Sequence, residues 1–282
     1  MTGPVITRFA PSPTGYLHSG HAFSALIAYQ NTLDHGGKFL LRLEDIDFTR
    51  CREEFAQSIL IDLEWLGLEW AEPVRIQSQH LCEYRAVAEN LTQRGLLYPC
   101  FCTRRDIQRE IESAGAAPQG PEGPLYPGTC RGLSEDERQF RIHRGDEYAM
   151  RLDLNRALDS VTSVLEWHDQ VCGVQVAAPE RLGDVVLVRK DIGCSYHLAV
   201  VHDDAFQNVN LVTRGKDLFE ATHLHRLLQH LLDLPTPVYH HHPLLCDEQG
   251  RRLAKRDLSE TIRSIREKGV TSEEFKRRLQ VN

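Results

Sequence analysis

Residues 8–21 read RFAPSPTGYLHSGH and are the most informative part of the chain. They begin within a short β-branched run at residues 5–9 and precede a helical pattern of apolar residues that ends at Gly36 and Gly37. In α/β folds, ligands bind where a parallel strand ends and a helix begins. The first turn of a helix offers N–H groups without intrahelical partners and a positive dipole end, and both suit a phosphate. The stretch therefore predicts a phosphate-binding junction.

Two histidines lie at the start of the predicted helix. His18 and His21 are three residues apart, so they share one face of its first turn. Imidazole donors there can stabilise charge that develops on a phosphoryl group, and Gly20 leaves room for a nucleotide to approach the backbone. Two histidines that cap or pack in an ordinary helix are the alternative. The sequence has neither a Gly-Lys-Ser/Thr P-loop nor a Gly-x-Gly-x-x-Gly motif.

The pattern around this stretch predicts an α/β fold. Residues 39–43 are a nearly continuous apolar run, as a buried parallel strand requires, and a helical pattern follows that ends at Gly67. This β-α-β-α order predicts a parallel sheet with right-handed crossovers. Further helices are predicted from about 78 to 95, after Thr103, from 219 to 232, and near Ser259 and Thr271.

A β-rich subdomain is predicted in the middle of the chain. Residues 115–128 are rich in proline and glycine, and a strand-like pattern extends from 148 to 188. We therefore expect three parts: residues 1–98, the first half of a Rossmann-like domain with a parallel sheet; residues 99–190, an inserted mixed subdomain; and residues 191–282, the second half with a short helical tail.

The composition is that of a globular chain without excess positive charge. The 40 acidic and 33 basic side chains give a formal net charge of −7, which argues against binding nucleic acid through a global field but not against a local basic groove. No run approaches the ~18 apolar residues of a membrane span, and no apolar signal segment precedes the first strand. We therefore expect a soluble, cytoplasmic protein whose eight cysteines are reduced.

As a whole, residues 8–21 resemble the HIGH signature of class I aminoacyl-tRNA synthetases, with Ser19 in place of the usual apolar residue. The RFAPSPTG part is similar to the glutamyl-tRNA synthetase branch. Residues 251–256, RRLAKR, look like the KMSKS loop of the class, although Arg252 replaces its first Lys and Ala254 its Ser. Such a cationic loop can close over a triphosphate, whereas a solvated basic surface is the alternative. The resemblance implies that Mg²⁺-ATP is bound by His18, Gly20, His21 and Lys255, with His18, His21 and Lys255 catalytic.

The same resemblance implies a glutamate pocket, in which arginines bind carboxylates and an acidic group accepts from the ammonium. The residues that it assigns to glutamate are Arg8, Phe9, Ala10, Pro11, Ser12, Glu44, Tyr196 and Arg214. A direct pairing of Arg8 with Glu44 is the alternative, and we interpret Asp45, Asp203 and Asp204 as helix caps or backbone anchors. Val200 stands where this branch has a pocket amide, which predicts weaker glutamate affinity.

Three cysteines have the spacing of a metal site. Cys100, Cys102 and Cys130 supply three soft ligands suited to tetrahedral zinc, and scattered reduced cysteines are the alternative. The spacing alone leaves the fourth ligand open among Tyr126, His80, Cys82 and His143. The resemblance favours Tyr126 and implies a structural Zn²⁺ in a knuckle of the inserted subdomain. We expect the run at residues 240–242, three histidines, to continue a strand rather than bind a metal.

Residues 256–282 follow Lys255, whereas full glutamyl-tRNA synthetases continue there into a helical domain that reads the anticodon. We expect no such domain here, and the chain then resembles a stand-alone paralogue of the catalytic domain. The paralogue activates glutamate with ATP and transfers it to queuosine in the anticodon of tRNA(Asp), and an unstacked anticodon loop can enter an open cleft. We expect a monomer. The alternatives are a truncated tRNA-charging enzyme and a catalytically inactive module that binds RNA or a partner.

Overall fold

The structure is a computed structural model that describes residues 3–113, 119–121, 123–245 and 260–279. The strands are β1 Ile6–Phe9, β2 Lys38–Leu43, β3 Ala71–Ile76, β4 Leu97–Cys100, β5 Gln119–Gly120, β6 Gly123–Pro124, β7 Ala149–Leu152, β8 Glu166–Asp169, β9 Gly173–Val176, β10 Val186–Val188, β11 Leu211–Gly215 and β12 Val238–His242. The helices are α1 Ser19–Asp34, α2 Glu53–Trp65, α3 Leu81–Gln93, α4 Arg104–Ser113, α5 Glu135–His143, α6 Leu154–Asp159, α7 Tyr196–Phe206, α8 Ala221–Leu231, α9 Ile262–Glu267 and α10 Ser272–Arg278.

The first part of the chain forms the predicted parallel sheet. Strands β1, β2 and β3 lie side by side in that order, and both pairs are parallel. Apolar residues of α1, α2, β1 and β2 form one core cluster, in which Leu41 is fully buried. The apolar pattern that predicts α1 is not buried along its whole length, because Leu33, near the end of the helix, is 56% exposed. The α/β class with a parallel sheet is therefore confirmed.

A second sheet follows the order β11, β12, β8, β9, and its β11–β12 and β12–β8 pairs are parallel. Asn210 joins this sheet to the first, since its N–H donates to the carbonyl of Ile6 at 3.0 Å and its side-chain oxygen accepts from the Ile6 N–H at 2.8 Å. The starts of β1 and β11 are thereby fixed next to each other. Arg8 and Arg214 lie toward the opposite, C-terminal ends of these two strands.

The inserted part contains an antiparallel sheet of β10, β7 and β4. Strands β8 and β9 lie within residues 99–190 but pair with the sheet of the second half, because Asp169 aligns with Tyr239 of β12. Sheet pairing therefore crosses the expected boundary at residue 190. Residues 243–245 lie after the end of β12, and Pro243 lacks the N–H that a ladder needs.

No helix within the described ranges is both long and apolar enough to span a bilayer.

Candidate active site

The two histidines of the signature cap the helix that they begin. The Nδ1 atom of His18 accepts from the Gly20 N–H at 3.1 Å, and the Nδ1 atom of His21 accepts from the His18 N–H at 3.3 Å. Their rings stack with centroids 3.8 Å apart. Because each Nδ1 is an acceptor, the neutral rings carry their protons on Nε2. The capping interpretation is therefore correct, and it also fixes two Nε2–H donors at the helix N-terminus.

Gly20 is needed by the first of these rings. A Cβ at this position would lie 3.0 Å from Cε1 and 3.2 Å from Nδ1 of His18. A larger residue would therefore push the ring away from its cap. The contact with the His18 ring is one reason for a glycine at position 20. The other reason, that Gly20 leaves room for a nucleotide, stays a prediction.

The second signature lies outside the described residues, since 246–259 include Arg252, Ala254 and Lys255. The chain is described again from residue 260, and Thr261 forms an antiparallel bridge with His18. The Ile262 N–H donates to the carbonyl of Leu17 at 2.8 Å. The residues that follow the second signature are thus attached to the first, whereas the role of Lys255 stays a prediction.

Ser12, Glu44 and Tyr196 line a common pocket of about 100 Å³. Phe9 ends β1, and Ala10 and Pro11 follow it directly. The Pro11 carbonyl accepts from the Glu44 N–H at 3.0 Å, which joins the ends of β1 and β2. Eight other residues complete the pocket lining: Thr14, Ile46, Asp47, Arg50, Gln77, Arg189, Ile192 and Cys194.

Arg8 is buried and paired with a carboxylate, but that carboxylate is not Glu44. Its Nε donates to Asp204 at 2.9 Å, its Nη2 to the same carboxylate at 3.4 Å, and its Nη1 to the Thr213 carbonyl at 3.1 Å. Glu44 instead accepts from Arg42 at 3.3 Å. The alternative of a direct Arg8–Glu44 pair is therefore wrong.

Asp203 and Asp204 are ion-pair partners rather than caps. Asp204 also accepts from Arg42 Nη2 at 2.9 Å, and Asp203 accepts from Arg75 Nε at 2.8 Å. Burial acts to raise the pKa of Asp204, but the charges of Arg8 and Arg42 hold that pKa below its ordinary value. Only Asp45 matches its interpretation as a backbone anchor, accepting from the Ser78 N–H at 2.7 Å.

Burial is the largest influence on the pKa of Glu44. It raises the pKa of this carboxyl above the ordinary value, although Arg42 and Arg8 act to lower it. Arg42 is fully buried at the centre of the network, and the carboxylates of Asp204, Glu44 and Asp203 raise its pKa against the effect of burial. A positive ligand group would therefore stabilise the ionised form of Glu44, as the predicted ammonium contact requires.

Arg214 differs from the other buried arginines. It is 5% exposed, and its partners are His241, His225, Thr222 and Tyr196. No carboxylate of the described residues lies within ion-pair distance of it. A buried charge that lacks a counterion is costly, so this guanidinium is suited to an anionic ligand.

Val200 lies one helical turn after Tyr196 on α7 and is 1% exposed. It belongs to the large apolar cluster of α3, α7 and α8 and does not line the pocket described above. The predicted loss of glutamate affinity through this residue stays a prediction.

The predicted metal ligands come together in the inserted part. The sulfur atoms of Cys100, Cys102 and Cys130 all lie within 4.8 Å of one another, and the Tyr126 hydroxyl is 3.4 Å from Cys100 Sγ and 3.5 Å from Cys102 Sγ. The Cys100 hydrogen bond lowers the pKa of Cys130 to about 6, and the converse hydrogen bond, with burial, raises that of Cys100 to about 12. One thiolate is thus already favoured in the cluster.

The other candidates for a fourth ligand lie elsewhere. His80 contacts Glu83 at 2.7 Å, His143 contacts the Gln139 carbonyl at 2.7 Å, and Cys82 is exposed on α3. The three histidines of β12 also have separate partners: Asn31 for His240, Asp169 for His241 and Ser24 for His242. The prediction that this run continues a strand is confirmed.

Arg42 and His225 are site residues that the sequence motifs do not predict. The sequence does contain a signal for Arg42, because a charge that interrupts a buried apolar strand must be paired. The Asp203–Asp204 pair gives the same kind of signal, since it lies in an otherwise apolar stretch of α7. His225 lies in a helix with several histidines, and the sequence does not single it out.

Comparisons with known proteins agree with this architecture. A family model described as tRNA synthetases class I (E and Q), catalytic domain, matches residues 4–280. The curated glutamyl-Q tRNA(Asp) synthetase of Rhodobacter capsulatus is 46% identical over 97% of this chain and 99% of its own length, and that of Symbiobacterium thermophilum is 39% identical over 94% and 82%. The solved glutamate tRNA ligase of Elizabethkingia meningosepticum, in complex with its amino acid, has a TM-score of 0.76 at 27% identity. The alignment covers 90% of this chain and 52% of that one, so the chain spans about half of that protein.

The fold and the matched family define a class I tRNA synthetase catalytic domain. The chain belongs to this family, in its E and Q type, and is an enzyme of the ligase class. Its similar curated relatives include several glutamyl-Q tRNA(Asp) synthetases.

Proposed function

We propose that this enzyme activates glutamate with ATP and transfers it to the queuosine base in the anticodon of tRNA(Asp). In the first step a glutamate carboxylate oxygen attacks the α-phosphorus of ATP, glutamyl-adenylate forms and pyrophosphate leaves. In the second step a hydroxyl of the queuosine cyclopentenediol takes the glutamyl group, AMP leaves and the hydroxyl proton is released. The names of the curated relatives support this choice of acceptor.

The observation that carries the glutamate part is the buried cation Arg214. It lies beside Tyr196, which lines the pocket together with Ser12 and Glu44. A ligand carboxylate would supply the counterion that this arginine lacks among the described residues. Glu44, which lines the same pocket, would accept from the ligand ammonium, and Arg8 with residues 9–12 would complete the contacts.

The signature helix would bind the nucleotide. The capping bonds of His18 and His21 direct proton-bearing Nε2 atoms away from the helix end, where they can donate to phosphate oxygens. Lys255 would add a positive charge on the triphosphate, and Gly20 keeps the His18 ring in place. Mg²⁺ enters with ATP and neutralises phosphate charge.

We also assign the Cys100, Cys102, Tyr126 and Cys130 cluster to a structural zinc ion. Zn–S bonds of about 2.3 Å at tetrahedral angles place sulfur atoms ~3.8 Å apart, and this cluster already brings Cys102 and Cys130 to 3.4 Å. The donor set therefore fits the ion. Metal analysis of purified protein should find zinc with the wild type and with Cys172→Ser, whose thiol is exposed, but not with Cys130→Ser. Equal zinc content in the wild type and both variants would contradict the assignment.

The decisive experiment uses labelled glutamate, ATP and tRNA(Asp) with and without queuosine. We expect label only on the queuosine-containing tRNA and, after ribonuclease digestion, on the anticodon fragment. Label on the 3′-terminal fragment would favour a tRNA-charging enzyme instead. Label on both tRNAs alike would overturn the proposed acceptor.

An inactive RNA- or partner-binding module is the second alternative, suggested by the changed residues Arg252 and Ala254. Glutamate-dependent exchange of pyrophosphate into ATP excludes it, because the exchange requires formation of the adenylate. The three parts 1–98, 99–190 and 191–282 would then serve as nucleotide-binding half, acceptor-binding insertion and loop-bearing half.

A further inference from the structure

The guanidinium of Arg214 is held entirely by neutral groups among the described residues. Its Nε donates to His241 Nε2 at 3.0 Å and its Nη2 to the Thr222 hydroxyl at 2.6 Å. Its Nη1 donates to His225 Nδ1 at 3.2 Å and lies 3.5 Å from the Tyr196 hydroxyl. Four N–H···acceptor contacts are thus made without neutralising the charge.

The hydrogen bonds to Arg214 fix the protonation state of His225 and His241. Arginine only donates, so His225 Nδ1 and His241 Nε2 must each present a lone pair. The proton of His225 is then on Nε2, which faces His197 Nδ1 at 3.1 Å, and that of His241 is on Nδ1, which faces Asp169 at 2.6 Å. Both imidazoles are therefore neutral. Burial agrees with this, since it lowers the pKa of His225 well below the ordinary value and that of His241 to about 4.

Asp169 is the carboxylate on this chain of hydrogen bonds, and one imidazole separates it from Arg214. It also accepts from the backbone N–H groups of Val171 at 2.9 Å and Cys172 at 2.8 Å. Its charge is therefore stabilised by its own turn, while His241 keeps it out of contact with the guanidinium. By contrast, Arg8 contacts Asp204 directly.

We propose that this neutral shell determines the preference for glutamate over glutamine, with His225 as a specificity-determining residue. The inference rests on the glutamate-binding function proposed above. A ligand carboxylate provides the charge that the shell withholds from Arg214, whereas a ligand amide leaves the cation buried without a counterion. A carboxylate placed in the shell would satisfy Arg214 internally and repel the ligand carboxylate.

The test compares His225→Glu with His225→Gln in the full chain. Both side chains have the same shape and can accept from Arg214, but only Glu brings a charge. Pyrophosphate exchange with glutamate and with glutamine, run with and without tRNA(Asp), gives kcat/KM for each amino acid. We expect His225→Gln to lower both values alike, and His225→Glu to reduce the glutamate-to-glutamine ratio roughly tenfold to a hundredfold further. Equal ratios in the two variants would overturn the inference.

Two controls separate this result from other failures. Wild-type protein without glutamate-dependent exchange under any condition would refute the proposed function itself, and the inference with it. Wild-type exchange together with equal ratios in the variants would refute the inference alone. If His225→Glu does not fold by thermal melting, Thr222→Asp against Thr222→Asn makes the same comparison at the 2.6 Å contact on Nη2.

Discussion

Arg8 and Arg214 lie near the ends of two adjacent strands, β1 and β11, and both are buried, yet their surroundings are opposite. The side of Arg8 is rich in carboxylates, with Asp204 in direct contact and Arg42 bridging to Glu44. The side of Arg214 has imidazoles and hydroxyls. We propose that the surroundings of Arg8 are stabilised by the fold itself, whereas those of Arg214 are completed by a ligand.

The largest expected effect concerns the carboxylates on the Arg8 side. Asp204→Asn keeps the shape but leaves the charges of Arg8 and Arg42 without their shared partner, so the free energy of unfolding should fall by about 3–5 kcal/mol. Urea unfolding followed by circular dichroism measures this. The exposed pair Asp191–Arg189 is the control, and Asp191→Asn should cost less than about 1 kcal/mol. Similar losses in both variants would contradict the distinction between the two sides.

On the other side, Arg214→Gln should affect the ligand more than the fold. Because the side chain lacks a carboxylate partner among the described residues, its replacement should reduce kcat/KM for glutamate in pyrophosphate exchange by roughly 10²-fold, about the value of a charge-assisted hydrogen bond. The free energy of unfolding should fall little, or rise, since a buried charge is removed. A large loss of stability with an unchanged KM for glutamate would show that Arg214 serves the fold.

The two sides should also respond to different ranges of pH. The pKa values of His225 and His241 are lowered from 6.5, that of His241 to about 4, so the stability that these neutral rings contribute is complete above pH 6.5 and is lost as the pH falls toward 4. The pKa values of Asp203 and Asp204 are lowered from 3.8, and their contribution is lost only below that pH. The free energy of unfolding measured against pH should have a smaller slope between 6.5 and 4 in His225→Gln. An unchanged slope there would argue against a neutral His225.

The last prediction concerns Val200, one turn from Tyr196. Val200→Asn should improve glutamate binding by up to ~1–3 kcal/mol if the amide reaches the ligand. The same substitution buries a polar group in an apolar cluster, so the protein should also lose stability. Titration of glutamate into the Asn variant and into Val200→Ile, a purely apolar control, measures the difference. No gain over the control counts against a role of this position in affinity.

The sequence was informative about backbone and position, and less so about side-chain partners. Apolar runs and glycine stops predict β1, α1, β2 and α2, because hydrophobic periodicity acts over a few neighbouring residues. The partner of Arg8 is 196 positions away in the chain, at Asp204, and no local pattern encodes that pairing. The pairing of β8 with β12 was missed for the same reason.

In the candidate site, too, local patterns were predictable from the sequence and tertiary partners were not. The signature predicted that the two histidines share one helical turn, and the cysteine spacing predicted a cluster that the structure also has. The neutral shell of Arg214 could not be foreseen, because His225 and His241 come from α8 and β12 and meet only in the folded protein. Local motifs therefore identify candidate groups, while tertiary contacts decide their charge.

Asn210, through its three hydrogen bonds to Ile6 and Pro4, holds the start of β1 against the start of β11, and these two strands carry the two arginines. Neighbouring strands keep a backbone spacing of about 4.8 Å, which side-chain substitutions scarcely alter. The two strands therefore keep their relative position when side chains of the pocket are exchanged.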